Sequence, residues 1–307
     1  MFRLAVLALP ALSSAAILPR AEPSNLLPTP YHEASARRPS IPEPVHITWT
    51  EADVFAKGGN ATAAPAQEPD EAVHLAALQA RGIIGADDRV VLTDTIYPFS
   101  AMGRLRVNFP GGASSWCSAS LVGPRVVATA RHCVSPGASY SFSPAYLDRD
   151  RLPTGNVVSI ISLRQNGELQ GCEWRNDWAL MILDRSLAAS SGFFGARPWD
   201  NSVARQSIFR TYGYPQDRNP TGQQPYVQGT FPAWVEGGCD NGGPVFFTAD
   251  VTPGQSGSPI YRQVPVAPGG EFVQYGIAAA GSDNYNLWAH GEAFVNAVTA
   301  ARRDFPA

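Results

Sequence analysis

The sequence predicts an all-β protein closed by a single helix, and three observations carry that reading. From about Gly82 onward, short runs of branched and aromatic residues recur between Gly, Pro, Asn and Asp clusters, the pattern of many short strands. Residues 17–81 have a different texture, rich in proline and polar residues. From Gly82 onward, only Gly291–Phe305 shows helical spacing, with Phe294, Val298, Ala301 and Phe305 on one face.

Taken in order, Met1-Phe2-Arg3 gives a positive end, Leu4–Leu12 an apolar run broken only by Pro10, and Ser14-Ala15-Ala16 small residues at a cleavage position. Residues 1–16 therefore read as a signal peptide. The run is far short of the roughly 20 apolar residues that span a bilayer, so an exported, extracellular protein is expected. Residues 17–81 read as a largely disordered pro-region. Prolines at 19, 23, 28, 30, 39, 42, 44, 65 and 69 argue against a regular sheet or long helix. Asn60-Ala61-Thr62 is the one glycosylation sequon, and Glu71–Arg81 has the pattern of one short helix, with the region ending near Arg81-Gly82.

Residues 82–307 form the folded domain. Its expected strands include Arg104–Val107, Ala119–Val122, Val126–Ala130, Val157–Ile161, Trp178–Leu183, Ser207–Tyr212, Val245–Thr248 and Phe272–Ala278. Strands of this length and spacing build a sandwich or a pair of barrels. The chain has 307 residues, 44% of them hydrophobic, with a net charge of −3. That is enough for a sizeable core and gives no basic excess for nucleic acid. Export makes the four cysteines disulfide partners. Four cysteines permit three pairings, and the sequence alone does not choose among them. Cys117 and Cys133 bracket a hairpin, which favours them as one pair and leaves Cys172 with Cys239.

The richest chemistry lies in Gly254-Gln255-Ser256-Gly257-Ser258-Pro259. A nucleophilic serine needs a tight turn that projects its hydroxyl, and flanking glycines permit one. The N–H groups of Gly254 and Ser256 are then candidates for an oxyanion hole. A hydroxyl also needs a base. Thr129-Ala130-Arg131-His132-Cys133 places His132 directly after an apolar strand, and a neutral imidazole there can take the serine proton. The third element is Asn176-Asp177-Trp178-Ala179-Leu180. An acidic residue opening an apolar strand is costly unless paired, and a bond to the second imidazole nitrogen would pair it.

In this order, TAxHC, DxAL and GxSGSP resemble the chymotrypsin/trypsin-like serine protease family across roughly residues 82–307. The resemblance implies two six-stranded antiparallel β-barrels (chymotrypsin-like) with a C-terminal helix, and His132, Asp177 and Ser256 as the catalytic triad. Ile84-Gly85-Ala86-Asp87-Asp88-Arg89, Thr93–Pro98, Gly103–Leu105 and Thr252–Pro259 further resemble the glutamyl-endopeptidase branch. Pancreatic-type members carry Asp where Gln255 stands, and Gln cannot pair with a new amino terminus. The implied substrate pocket comprises Asp250, Val251, Ala278 and Gly281. Val251 and Ala278 stand where glutamyl-specific members have Thr and His, and Asp250 coincides with the acidic pocket residue of trypsin-like members.

Two rivals remain. An inactive homologue acting as a binding module predicts loss of a triad member, and none is missing. An α/β-hydrolase esterase would use Ser256, Asp283 and His290, but Ser258 replaces the last glycine of its elbow and no alternating βα pattern is present. The expected partners are polypeptide substrates, with no nucleic acid and no membrane, and the protein is expected to be a monomer. No metal and no organic cofactor is called for.

Overall fold

A computed structural model of the protein describes residues 41–58, 82–164, 169–239, 242–265, 270–282 and 284–307. The leader, the sequon and the Glu71–Arg81 helix lie outside these residues. The first sheet contains β1 (Val45–Trp49), β3 (Met102–Asn108), β4 (Ser114–Leu121), β5 (Val126–Ala130), β6 (Ser139–Pro144), β7 (Gly155–Leu163) and β8 (Trp178–Leu183), with the two-residue β2 (Val90–Val91) belonging to the second. Strands β7, β6, β3, β4, β5 and β8 pair in that order, and β7 also pairs with β8. These six strands therefore close into a barrel.

The second sheet uses β9 (Gly195–Ala196), β10 (Phe209–Gly213), β11 (Tyr226–Phe231), β12 (Ala233–Trp234), β13 (Val245–Phe247), β14 (Pro259–Val264), β15 (Glu271–Gly281) and β16 (Asn286–His290). Its path runs β12-β13-β16-β15-β14-β10-β11-β2, with β9 beside β15. No ladder joins its ends. The chain itself links β12 to β11, the strand next to the other end, because β11 pairs with β10, β12 pairs with β13, and only Pro232 separates β11 from β12. Proline has no N–H to give a ladder, so the strand turns there from one neighbour to the other.

Helices α1 (Glu51–Gly58), α2 (Ala188–Ser191) and α3 (Glu292–Asp304) complete the fold. Phe294, Val298 and Ala301 of α3 are fully buried, as the helical spacing requires, and pack with Trp178, Leu180 and Ile182 of β8. Among the described residues, no helix is long and apolar enough to cross a membrane.

The expectation that proline bars regular structure throughout 17–81 is corrected at residues 45–58. β1 pairs in parallel with β7, and α1 follows it. Residues 45–58 hold no proline, and Thr50 and Asp53 cap α1 reciprocally, with Thr50 N donating to Asp53 Oδ2 (2.8 Å) and Asp53 N to Thr50 Oγ1 (3.1 Å).

His290, at the end of β16, is buried. Its Nε2 lies 2.6 Å from Gly243 O, which as an acceptor requires the N–H tautomer there, and its Nδ1 has no partner. Burial pushes its pKa down to about 4, and nearby Arg175 pushes the same way. Between the unfolded value near 6.5 and about 4, the unfolded chain binds a proton that the folded chain refuses. Stability should therefore fall as pH drops through that window, by up to about 3 kcal/mol from this group. Denaturant unfolding at pH 7, 5.5 and 4 should show the loss, and His290→Gln should flatten it. Equal slopes in both proteins would contradict the assignment.

Candidate active site

The three predicted polar residues meet at the junction of the two sheets. β5 and β8 pair antiparallel with Ala130 opposite Trp178. The chain leaving β5 and the chain entering β8 are thus neighbours, which brings His132 to Asp177. The Asp177 carboxylate is fully buried and both its oxygens are used by His132. Oδ1 accepts the His132 backbone N–H (2.9 Å) and Oδ2 lies 2.6 Å from Nδ1. Arg131 N donates to the Asp177 carbonyl (3.2 Å), so backbone and side chain are tied together. The far imidazole nitrogen, Nε2, lies 2.8 Å from Ser256 Oγ. A buried carboxylate holds a proton on Nδ1 and leaves Nε2 as acceptor for the hydroxyl. The His132 side chain keeps 35% exposure, so one edge of the relay faces solvent.

Ser256 sits in the turn that precedes β14. Gly254 and Gly257 have φ of +90° and +79°, a region that side chains strain to enter. Space forbids side chains as well. A Cβ at Gly254 would lie 2.3 Å from Tyr214 O, and one at Gly257 2.2 Å from Thr129 Oγ1.

The turn is clamped by a residue the sequence reading did not single out. Ser118, fully buried on β4, donates its hydroxyl to Gly254 O (2.9 Å) and its N–H to Ser256 O (2.8 Å). Its Oγ accepts from Tyr214 N (2.9 Å) and its carbonyl from Thr129 Oγ1 (2.9 Å). Its neighbour Cys117 is bonded to Cys133, next to His132. One short stretch of β4 thus braces both the nucleophile turn and the histidine turn. The second disulfide, Cys172–Cys239, ties the 3₁₀ turn Gly171–Asn176, just before Asp177, to the approach to β13.

A second unanticipated residue is Arg89, which is buried. Its Nη1 donates to Gln255 Oε1 (2.9 Å), Thr252 Oγ1 (3.0 Å) and Asp217 Oδ1 (3.1 Å). Nη2 pairs with Asp217 (2.5 Å) and Asp87 (2.8 Å), and Nε with Asp87 (3.0 Å). The guanidinium beside it holds the Asp87 carboxyl well below the usual carboxylate range, against the opposing effect of burial. Burial works against the charged form of Asp217, yet the Arg89 and Thr252 hydrogen bonds outweigh it and lower its pKa. Gln255 Oε1 also accepts from Thr252 N (3.1 Å). An internal cation therefore holds Gln255, the residue before the serine.

The expected pocket residues lie deeper than a pocket wall. Val251 and Ala278 are fully buried and pack in the apolar core of the second sheet with Val245, Phe247, Ile260 and Trp288. Asp250 is fully buried. Its Oδ1 accepts from Ile84 N (2.7 Å) and its backbone N donates to Gln228 Oε1 (2.7 Å). Burial raises its pKa, against the lowering effect of the Ile84 N–H. A Cβ at Gly281 would fall on Asn286 Oδ1, at 1.7 Å. Of the esterase set, His290 bonds Gly243, and Asp283 lies outside the described residues. Among the described residues, no group of three or more His, Cys, Asp or Glu side chains is gathered to hold a metal.

Comparison with known proteins places this site in context. The glutamyl endopeptidase of Bacillus licheniformis is 27% identical over 192 residues, 60% of this chain and 55% of that one. The extracellular metalloprotease of Bacillus subtilis is 26% identical over 221 residues, 68% of this chain and 66% of that one. The chain thus spans between about half and two thirds of these relatives. A solved Glu endopeptidase in complex with MPD has a similar fold, with a TM-score of 0.58 at 21% identity, covering 72% of this chain and 99% of that one. The trypsin family model matches residues 94–288, well over half of the chain, and this protein therefore belongs to the trypsin family.

Proposed function

We propose that the chain is an exported serine endopeptidase that hydrolyses polypeptides through an acyl-enzyme on Ser256. The observation that carries the reading is the unbroken relay from Asp177 Oδ2 through His132 to Ser256 Oγ, with contacts of 2.6 and 2.8 Å. Ser256 Oγ attacks the peptide carbonyl carbon while its proton passes to His132 Nε2. Negative charge gathers on the carbonyl oxygen, where the N–H groups of Gly254 and Ser256 stabilise it. His132 then gives the proton to the leaving amine as the C–N bond breaks. Water then attacks the acyl carbon, giving a proton to the same imidazole, and the acyl–Oγ bond breaks as His132 passes that proton to Ser256 Oγ. Asp177 keeps the ring in one tautomer and balances the imidazolium charge. Residues 1–16 direct export, and a cut near Arg81-Gly82 completes maturation.

The pocket argues against a preference for basic residues. The Asp250 carboxylate is buried and already accepts the Ile84 N–H, so it does not offer a free charge to an incoming Arg or Lys. Cleavage of a mixed peptide library should show no enrichment of Arg or Lys before the cut bond. Enrichment of either would overturn this use of Asp250.

A fluorophosphonate probe separates the endopeptidase from an inactive binding module. The processed protein should label at Ser256, and Ser256→Ala should not label; absence of labelling in the processed wild type would favour the module. His132→Ala should lower kcat roughly 10⁶-fold, and Asp177→Asn about 10⁴-fold. Retention of wild-type turnover by either would sink the assignment. Ser118→Ala leaves the Gly254 carbonyl and the Tyr214 N–H without their buried partner, a loss of about 1–3 kcal/mol. If the clamp positions the oxyanion donors, kcat should fall roughly 5- to 100-fold with KM changed less. An unchanged kcat with only a lower melting temperature would make Ser118 purely structural.

A further inference from the structure

Residues 41–58 are held by more contacts than a discarded segment needs. β6 covers β7 only at Gly155 and Asn156, while β8 takes the opposite edge from Val157 to Ser162. β1 fills the edge that β6 leaves, pairing Val45 to Trp49 with Ser159 to Leu163 in parallel register, and Arg164 N donates onward to Trp49 O (2.7 Å). Without β1 those backbone groups form an open strand edge.

The helix that follows seals the same place. Val54 is fully buried and Trp49 nearly so, in the cluster that contains Trp178, Phe294 and Val298. Gly58 lies so close to α3 that a Cβ there would sit 2.5 Å from Asn296 Cβ. Arg303 Nη1 donates to Lys57 O (2.8 Å). Glu51 Oε1 accepts from Arg175 Nη2 (3.3 Å) and Asn176 Nδ2 (3.2 Å), the two residues before Asp177.

We propose that residues 41–58 remain on the domain after processing, so that a cut near Arg81 yields a two-chain protein with the short chain as a permanent strand-and-helix staple. The number of chains rests on the maturation cut proposed above; the retention itself does not, because none of these contacts involves the bond to be cut. The surface is the edge of β7 that β6 leaves together with the flank of α3 that α1 covers, and its partner is this chain's own N-terminal strand and helix.

Native and denaturing mass spectrometry of the secreted protein tests it without any assay of activity, so failure of the catalytic reading would leave the result intact. Denatured, the protein should give a chain starting near Gly82 and a short chain containing Val45–Gly58. Native, the two should travel together at one to one. A single uncut chain starting before Val45 also supports retention. A stable mature protein made of residues 82–307 alone overturns it. Val54→Asp puts a charge into the apolar seam, and should release the short chain and shorten the half-life to thermal unfolding, followed by circular dichroism, roughly tenfold. If that variant does not accumulate, Val54→Ala is read in the same way: a shorter half-life is expected, and an unchanged one counts against the staple.

Discussion

A carboxylate shut away from water has to be paired, and in this fold that constraint falls on Asp177. Its two oxygens are met by one residue, His132, through a backbone N–H and a ring nitrogen. The pairing fixes where the imidazole lies and which nitrogen faces Ser256. It also dictates the supporting architecture. β5 and β8 must run antiparallel in a register that sets Ala130 against Trp178, and the loops leaving them must be pinned. The Cys117–Cys133 and Cys172–Cys239 bonds do the pinning, one beside the histidine and one ahead of the aspartate.

The nucleophile side obeys a different logic. The turn around Ser256 relies on glycines at positive φ, which are as free to adopt other backbone conformations, so its shape has to be fixed by its surroundings. Ser118 holds it from the first barrel by two carbonyls. Arg89 holds it from below through Gln255 and Thr252. Arg89 lies only a few residues after Gly82, so the cation that braces the turn is carried by the segment just beyond the expected cut. The same segment delivers Ile84 N to Asp250. Residues 82–89 thus organise the ground beneath the serine through an internal side chain and a backbone amide.

Much of this was legible before any coordinates. The TAxHC, DxAL and GxSGSP stretches mark strand-end positions where polar residues are out of place unless they meet, and they do. The closing helix and most strands follow from periodicity. What was hidden shares one cause, which is that its meaning lies in long-range contacts. Ser118 is one serine among several in Ser114–Ser120, and nothing local says that it faces Gly254, 136 residues away. Arg89 has the composition of a surface residue, and only burial reveals its role. β6 and β11 were obscured by serines, a proline and a glycine. β1 was masked by the prolines that precede it, although Thr50-Glu51-Ala52-Asp53 spells a helix cap that the structure uses. The pocket residues were placed by alignment to relatives, and alignment cannot say that Asp250 is already satisfied.

The central claim is that a proton relay ends on the oxygen of Ser256 while two amides beside it bind the oxygen of the attacked group. A crystal structure of the processed protein after reaction with a fluorophosphonate tests it most directly. The account predicts phosphorus bonded to Ser256 Oγ, the phosphoryl oxygen within about 3 Å of the Gly254 and Ser256 nitrogens, and His132 still joined to Asp177. Phosphorus on another residue, or a phosphoryl oxygen turned away from both amides, would contradict it.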